Sequence, residues 1–188
     1  NLLEERFDII ECSGVLHHME DPLQGLKALL SVLKENGFLK LGLYSEAARK
    51  NIVEARKYIS RNNLQSNEDN IREFRETIFS EKIPKINSLV QNSDFYTLSS
   101  CRDLCFHTQE HRFTIHELEK TLQSNGLEFL GFLIEKPIKS LYKKYFPQDH
   151  KQINLQNWAK FEEKHPNTFT NMYQFWVSKG RINNSQKK

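Results

Sequence analysis

This sequence of 188 residues has few cysteines. Its three cysteines, Cys12, Cys101 and Cys105, are odd in number and show no Cys-x-x-Cys spacing. That pattern argues against a disulfide framework and against a thiolate zinc site. We therefore expect the chain to work in a reducing compartment, with a cytoplasmic location.

Long apolar runs and concentrated charge are also absent. No apolar run approaches the roughly 18 residues that a membrane-spanning helix needs, so we expect no membrane partner. The 27 basic and 24 acidic residues give a net charge of only +3 and are interleaved. Nucleic-acid-binding domains usually carry a clustered basic patch, so nucleic acid is disfavoured as the main partner. The length is typical of a single domain.

The most informative part of the chain is residues 7–45. An apolar run over 7–14 predicts a strand covered on both faces, because it is too short for a core helix. Asp21 and Pro22 are typical of a helix start, and leucines at spacings of three and four predict an amphipathic helix over 22–35. Asn36-Gly37 is expected to end it. A second apolar strand is predicted over 38–44.

A strand, a helix and a second strand in this order form one crossover unit. Crossovers of this kind are almost always right-handed and leave the two strands parallel. In open parallel sheets ligands bind beyond the carboxyl ends of the strands. Here those ends are residues 12–18 and 44–45, so the sequence predicts a binding site beside them.

Four short patterns in this region carry a family resemblance. They are a hydrophobic-D-x-hydrophobic start (FDII), V-L-H-H-x-x-D-P (VLHHMEDP), L-K-x-x-G (LKENG) and a strand that ends L-Y-S. In this order and spacing the chain resembles the small-molecule branch of the class I S-adenosylmethionine-dependent methyltransferases. The resemblance implies an α/β fold with a Rossmann-like, mostly parallel sheet, in which these strands are the fourth and fifth.

The resemblance also implies an activity, and it implies that part of the domain is missing from this sequence. The activity is methyl transfer from S-adenosyl-L-methionine to a small-molecule acceptor. The family's glycine-rich cofactor loop is expected before this stretch, yet no glycine precedes Gly14. The chain is therefore expected to be the carboxyl-terminal part of the domain, inactive when isolated. Its expected partner is the missing amino-terminal half or a fused domain.

Periodicity and capping patterns predict the remaining elements. The resemblance makes residues 46–113 a helical insertion that covers the acceptor site, within a single methyltransferase-like domain over 1–188. The resemblance also makes the last strand antiparallel and places it between the fifth and the sixth strands. A disordered tail is expected over 180–188. The predicted elements are helices over 46–61, 68–79, 100–110 (opened by Ser100), 115–125 (opened by Thr114 with Glu117), 138–145 and 155–164, a loop over 85–98, and strands over 127–135 and 172–178.

The residues after the first strand are the candidate cofactor contacts. The main chain of Ser13, Gly14 and Val15 can approach a ligand closely because glycine leaves room there, and Cys12 adjoins it. His17 is the preferred histidine for the cofactor's methionine end or for taking a proton from the acceptor. The alternative is that it only packs within its loop.

His107, Glu110 and His111 form an H-x-x-E-H pattern. We expect the three to form a polar wall of the acceptor cavity, with His107 and His111 as catalytic candidates and Glu110 as a substrate contact. A structural hydrogen-bond network is the alternative. The same sequence pattern occurs in inverted zinc-protease motifs, so a metal-dependent hydrolase is a second alternative. We nevertheless expect no metal.

Three further side chains are candidate substrate contacts: Tyr44 at the end of the second strand, and Tyr96 and Arg102 in the insertion. Arg102 and Arg112 can orient an anionic acceptor unless they pair with neighbouring carboxylates. A domain that keeps the fold without catalysis, as a binding or scaffolding module, stays open as a rival function.

Overall fold

The structure is a computed structural model that describes residues 5–80, 82–106 and 110–180. The chain divides into two compact units. The first comprises Asn1–Ala48 and His111–Lys188, and the second comprises Arg49–Glu110. The second unit lies within residues 46–113, over which a helical insertion is predicted. The tail predicted to be disordered lies, from residue 181 on, outside the described residues.

The first unit contains a four-stranded sheet. Its strands are β1 (Phe7–Ser13), β2 (Leu33–Tyr44), β3 (Leu127–Phe132) and β4 (Met172–Lys179), in the order β1-β2-β4-β3. β1 and β2 are parallel, whereas β4 is antiparallel to both β2 and β3. The parallel first pair and the inserted antiparallel last strand confirm the predicted arrangement.

Seven helices occur in the described part of the chain, together with short 3-10 and π-helical segments. The helices are α1 (Pro22–Val32), α2 (Lys50–Arg61), α3 (Glu68–Phe79), α4 (Leu98–Cys101), α5 (Ile115–Ser124), α6 (Lys136–Tyr145) and α7 (Leu155–Lys164).

Helix α1 begins as predicted but ends early. The Asp21 carboxylate accepts hydrogen bonds from the amides of Leu23 (2.9 Å) and Gln24 (3.1 Å), which have no partner within the helix. The helix stops at Val32 because the buried Leu33 is already extended. Asn36, with φ +62°, lies inside β2. The prediction that Asn36-Gly37 ends the helix was therefore wrong.

The first strand is less covered than its apolar sequence predicts. Phe7 is 38% exposed and Ile9 is 61% exposed, whereas Ile10 and Cys12 pack against the core. The sheet order places β1 at an edge. The prediction of a strand covered on both faces was wrong for the part of the chain that the structure describes.

The core of the first unit lies on one face of the sheet. Alternate residues of β2, namely Leu39, Leu41 and Leu43, are at most 5% exposed. They pack in one cluster with side chains of α1, α5 and α7, including Trp158. α5 opens with the predicted capping box, in which Thr114 and Glu117 exchange hydrogen bonds.

The second unit has its own core, built largely from α2 and α3. α2 begins at Lys50 and not at 46, because residues 46–49 form a turn first. The predicted loop over 85–98 contains 3-10 helix at Pro84–Gln91 and Ser93–Phe95. The predicted cap at Ser100 was also wrong, since Thr97 caps α4 and a π-helical segment, Arg102–Phe106, follows.

Among the residues that the structure describes, no helix is both long and apolar enough to cross a bilayer.

Candidate functional site

The carboxyl end of β1 leaves an open stretch of main chain. Gly14 has φ +78°, and its amide donates a hydrogen bond to the carbonyl of Gly42 at 3.2 Å. Apart from its two chain neighbours, no heavy atom of the described residues lies within 4 Å of the position that a Cβ would take on Gly14. Ser13 and Val15 beside it are exposed. A ligand can therefore approach this main chain closely.

Cys12 belongs to the core side of the strand. Its side chain packs against the core, and burial raises the pKa of its thiol. The predicted role of Cys12 as a cofactor contact is therefore not supported for its side chain.

His17 lies inside the loop and not at its surface. Its side chain is fully buried, stacked on the ring of Tyr44 with centroids 3.6 Å apart and planes at 24°. The ring of His18 meets His17 edge-on at 4.5 Å. A base must reach the proton that it removes, so the structure favours a packing role for His17 over its predicted role. His18 is only half-buried.

The segment after the second unit returns to this loop. The amide of His111 donates to the carbonyl of His17 (2.8 Å), and that of Phe113 donates to the carbonyl of Tyr44 (2.9 Å). The amide of Glu46 in turn donates to the carbonyl of Phe113 (2.9 Å). Three predicted site residues, His17, Tyr44 and His111, are thus brought together by main-chain hydrogen bonds within the first unit.

Arg112 has a carboxylate partner that sequence reasoning did not identify. Its Nε donates to Oε2 of Glu46 at 2.9 Å, and both side chains are partly exposed. The sequence suggested only carboxylates that are neighbours of Arg112 along the chain. Residues 46 and 112 are 66 positions apart, and only the pairing of the segments around Ser45 and Phe113 places them opposite each other.

A buried carboxylate under the end of β2 was also missed. Glu162 of α7 is 8% exposed and accepts hydrogen bonds from the hydroxyl of Tyr173 (2.9 Å to each oxygen) and from Ser45 (3.2 Å). Burial, and then the charge of Glu162, raises the pKa of Tyr173. The sequence predicted the helix over 155–164 but gave Glu162 no role. The network fixes Ser45 directly after Tyr44.

The second unit contains the other predicted site residues. The carboxylate of Glu110, with a side chain 1% exposed, accepts from Nε (2.9 Å) and a terminal nitrogen (2.6 Å) of Arg49 and from Arg56 (2.8 Å). A carboxylate held in this way by two guanidinium groups is an anchor of this unit. The prediction that Glu110 contacts substrate is therefore not supported.

Tyr96 is 54% exposed and its hydroxyl donates to the carbonyl of Val90 at 2.8 Å. Arg102 is half-buried in the π-helical segment. His107 lies outside the described residues. Within those residues no group of three or more His, Cys, Asp or Glu side chains is placed to hold a metal ion.

Comparison with known proteins agrees with the sheet and with the loop after β1. Residues 1–41 match the family model described as a methyltransferase domain. An uncharacterised protein of Synechococcus sp. is 37% identical over 141 residues, which cover 69% of this chain and 33% of that protein.

Two solved structures of PKMT2 from Rickettsia typhi share the fold. One has a TM-score of 0.69 at 15% identity and the match covers 97% of this chain; the other, in complex with AdoHcy, has a TM-score of 0.67 at 14% identity and the match covers 96%. Each match covers 37% of the PKMT2 chain, so this chain spans about a third of the length of these relatives. The methyltransferase-domain match over residues 1–41 and the fold shared with PKMT2 agree with the resemblance to the class I S-adenosylmethionine-dependent methyltransferases.

Proposed function

We propose that this chain forms part of the active site of an enzyme that transfers a methyl group from S-adenosyl-L-methionine to a small-molecule acceptor. The observation that carries the proposal is the open main chain at Ser13–Val15, where Gly14 leaves its Cβ position empty at the carboxyl end of a parallel strand. The resemblance of VLHHMEDP to the small-molecule branch supports the acceptor class.

The residues present fit this cofactor. Ser13 and Val15, on either side of Gly14, are exposed residues, and their main-chain groups would hold polar groups of the cofactor; beyond these two neighbours, no side chain of the described residues fills the space at Gly14. The bound cofactor supplies an electrophilic methyl group on a sulfonium ion, whose carbon–sulfur bond breaks as the bond to the acceptor forms. The protein's contribution to such a reaction is mainly alignment and the exclusion of water.

Alignment at this end of the sheet comes from the residues around Tyr44. Its ring is fixed by the stacked His17, and its carbonyl is fixed by the amide of Phe113. The half-buried His18 and His111 adjoin the same loop. We propose that one of these imidazoles takes the proton when the acceptor must lose one, since the unperturbed pKa of histidine is near neutral pH. His107 keeps its predicted role as a second candidate.

The cofactor site is testable on the 188-residue chain by NMR titration with AdoHcy. We expect weak binding, because one stretch of main chain supplies only part of a cofactor site, with amide shifts at Ser13, Gly14 and Val15. Gly14→Ala should abolish these shifts. Gly126→Ala is a matched control, because Gly126 also has positive φ (+65°) and an empty Cβ position.

Shifts confined to other residues, or none at about 10 mM AdoHcy, would contradict the cofactor site. The acceptor class needs a separate measurement with the complete gene product. Methyl-labelled S-adenosylmethionine should pass its label to the small-molecule fraction of a cell extract, and label found in the protein fraction instead would overturn this part of the proposal. The absence of transfer together with intact binding would favour a binding or scaffolding module.

A further inference from the structure

The second unit contains two thiols that the proposed methyl transfer does not use. Cys101 is the last residue of α4, and Cys105 lies in the π-helical segment Arg102–Phe106 that follows it. Both residues are at most 1% exposed and belong to the core of this unit. Residues four apart are neighbours on a helix surface, so both thiols lie on one side of this helical stretch.

The two thiols interact with each other. The Cys105 thiol donates a hydrogen bond to Cys101, so the two sulfur atoms are already in contact. This bond lowers the pKa of Cys101 against the effect of burial, and the charge of Arg75 lowers it further. The same bond, together with burial, raises the pKa of Cys105. Cys101 is therefore the thiol that ionises first, and Cys105 keeps its proton.

The positive charge that favours the Cys101 thiolate is held in place by the fold. Arg75 belongs to α3, and a terminal nitrogen of its guanidinium group donates a hydrogen bond to the carbonyl of Tyr96 at 2.6 Å. Cysteines beside a cation have a larger thiolate fraction, and the thiolate is the nucleophile. One activated cysteine with a second thiol beside it is the arrangement typical of cysteines that are oxidised reversibly.

Access to the buried pair requires the opening of one short element only. α4 has four residues, begins at the Thr97 cap and is followed directly by the π-helical segment. Ser99 and Asp103, on the opposite side of this stretch, are exposed. Short elements at the surface open locally without unfolding of the whole unit. A small, neutral oxidant can then reach the sulfur atoms.

We propose that Cys101 and Cys105 form a reversible oxidation site at which hydrogen peroxide converts the two thiols into a disulfide. The Cys101 thiolate attacks one peroxide oxygen, and the oxygen–oxygen bond breaks. The hydroxide that leaves takes up a proton and becomes water, while Cys101 becomes a sulfenic acid.

Cys105 completes the oxidation. Once Cys101 is a neutral sulfenic acid, its charge no longer raises the pKa of Cys105, whereas the charges of Arg56 and Arg49 still favour the Cys105 thiolate. The Cys105 sulfur attacks the Cys101 sulfur and forms the disulfide bond. The sulfenic hydroxyl group leaves with the proton of Cys105 as a second water. Two thiols are oxidised in this sequence, and one peroxide is reduced to two waters.

The disulfide is expected to be easily reduced. Helical residues four apart have Cβ atoms about 5–6 Å from each other, whereas a relaxed disulfide needs about 3.5–4.5 Å. The stretch around Cys101 and Cys105 must therefore tighten, and strained disulfides are the ones that other thiols reduce readily. The inference rests on the second unit alone, so it does not depend on the proposed methyl transfer.

Peptide mapping of the 188-residue chain tests the proposal without any substitution. The reduced chain is treated with a small molar excess of hydrogen peroxide, the remaining thiols are blocked with N-ethylmaleimide, and the protein is digested with trypsin. Cleavage after Lys85, Arg102 and Arg112 separates the two cysteines. We expect mass spectrometry to find residues 86–102 linked to residues 103–112. Dithiothreitol added before the blocking step should remove this link.

Cys12 is the matched control, because it is the third cysteine of the chain and belongs to the first unit. It is more exposed than Cys101 and Cys105, but burial raises the pKa of its thiol. We expect Cys101 and Cys105 to lose their reaction with N-ethylmaleimide together, at least about tenfold faster than Cys12. Faster loss at Cys12, a disulfide that joins two copies of the chain, or no link between the two peptides would overturn the proposal.

Two substitutions test the order of the steps. In Cys105→Ser, oxidation of Cys101 should stop at the sulfenic acid, which dimedone traps. In Cys101→Ser, Cys105 should react no faster than Cys12. Equal trapping at Cys101 and Cys105 in the two variants would contradict the proposal. If either variant fails to fold, the peptide map of the unsubstituted chain still decides, because it requires no change in the core.

Discussion

The imidazole ring of His17 lies nearly flat against the phenol ring of Tyr44, with centroids 3.6 Å apart. His17 follows β1, and Tyr44 is the last residue of β2. The stack therefore joins the ends of two neighbouring strands at the proposed cofactor site. Aromatic contacts of this kind contribute more stability than the burial of their surface area alone would give.

His17→Ala should therefore destabilise the first unit. We expect the free energy of unfolding to fall by about 1–3 kcal/mol, since a fully buried side chain is lost. Val15→Ala, at a residue 53% exposed, is the control and should change it by less than about 0.5 kcal/mol. Urea denaturation measures both. Equal effects of the two substitutions would show that the stack contributes nothing.

His17 also shows where sequence reasoning succeeds and fails. The pattern from Phe7 to Ser45 predicted the parallel pair because alternation, caps and spacing are local properties. Whether His17 or His18 faces solvent depends on a ring from another strand, Tyr44, and on the returning segment at His111. Contacts at such separations leave no periodic signal in the sequence.

The same limit explains Glu110. H-x-x-E-H describes neighbours along the chain, yet its glutamate is held by Arg49, 61 positions earlier. The exposure of β1 was mispredicted for a different reason. An apolar run shows that a strand can be covered on both faces, but not that the covering elements lie within these residues.

Glu110→Gln should destabilise the second unit. The substitution leaves two guanidinium groups, those of Arg49 and Arg56, without their buried counter-charge. Removing one partner of a buried ion pair typically costs about 3–5 kcal/mol. We expect faster exchange of α2 amides by hydrogen-exchange mass spectrometry, which reads the two units separately.

Glu54→Gln is the matched control for that experiment. Glu54 pairs with Lys57 at 2.7 Å, but at the surface of the same helix, where such pairs contribute little to stability. If Glu110→Gln were as mild as Glu54→Gln, the buried network would not anchor the unit.

Alkaline pH should weaken the first unit through Tyr173. Burial and the adjacent Glu162 raise the pKa of Tyr173 above its ordinary value of about 10. Because the folded state holds the proton more tightly, this stabilisation is fully present below about pH 10 and is lost as pH rises further. Tyr173→Phe should flatten the fall in stability between about pH 10 and 12.

Tyr145→Phe serves as the comparison, because the ring of Tyr145 is 43% exposed. It should leave the slope of stability against pH unchanged. A slope that is as steep in Tyr173→Phe as in the unsubstituted chain would show that the Glu162 network does not control alkaline unfolding.

His111→Ala should lower turnover of the complete enzyme by about 10²–10⁴-fold if His111 is the general base. Cofactor affinity should stay within about twofold, because the proposed cofactor contacts are main-chain groups of Ser13–Val15. His116→Ala, on the exposed side of α5, is the control. If turnover survives His111→Ala, the general base must be His18 or His107 instead.

Gly42 and Ser13 give the sharpest test of the local geometry. A Cβ on Gly42 would lie 2.9 Å from both Cβ and Oγ of Ser13, closer than real Cβ contacts allow. Gly42→Ala should therefore force the carboxyl ends of β1 and β2 apart, at a cost of about 1–3 kcal/mol. The amide shifts of Ser13–Val15 with AdoHcy should weaken in parallel.

Ser13→Gly combined with Gly42→Ala removes the two side-chain atoms that clash. The double variant should regain most of the stability and of the AdoHcy shifts that Gly42→Ala loses. Ser13→Gly alone keeps Gly42 and has no clash to relieve, so it should bring no gain in either. The Cα of Ser13, at 3.0 Å, keeps the rescue incomplete. If the double variant is no more stable than Gly42→Ala, close approach of these two strands is not what the glycine provides.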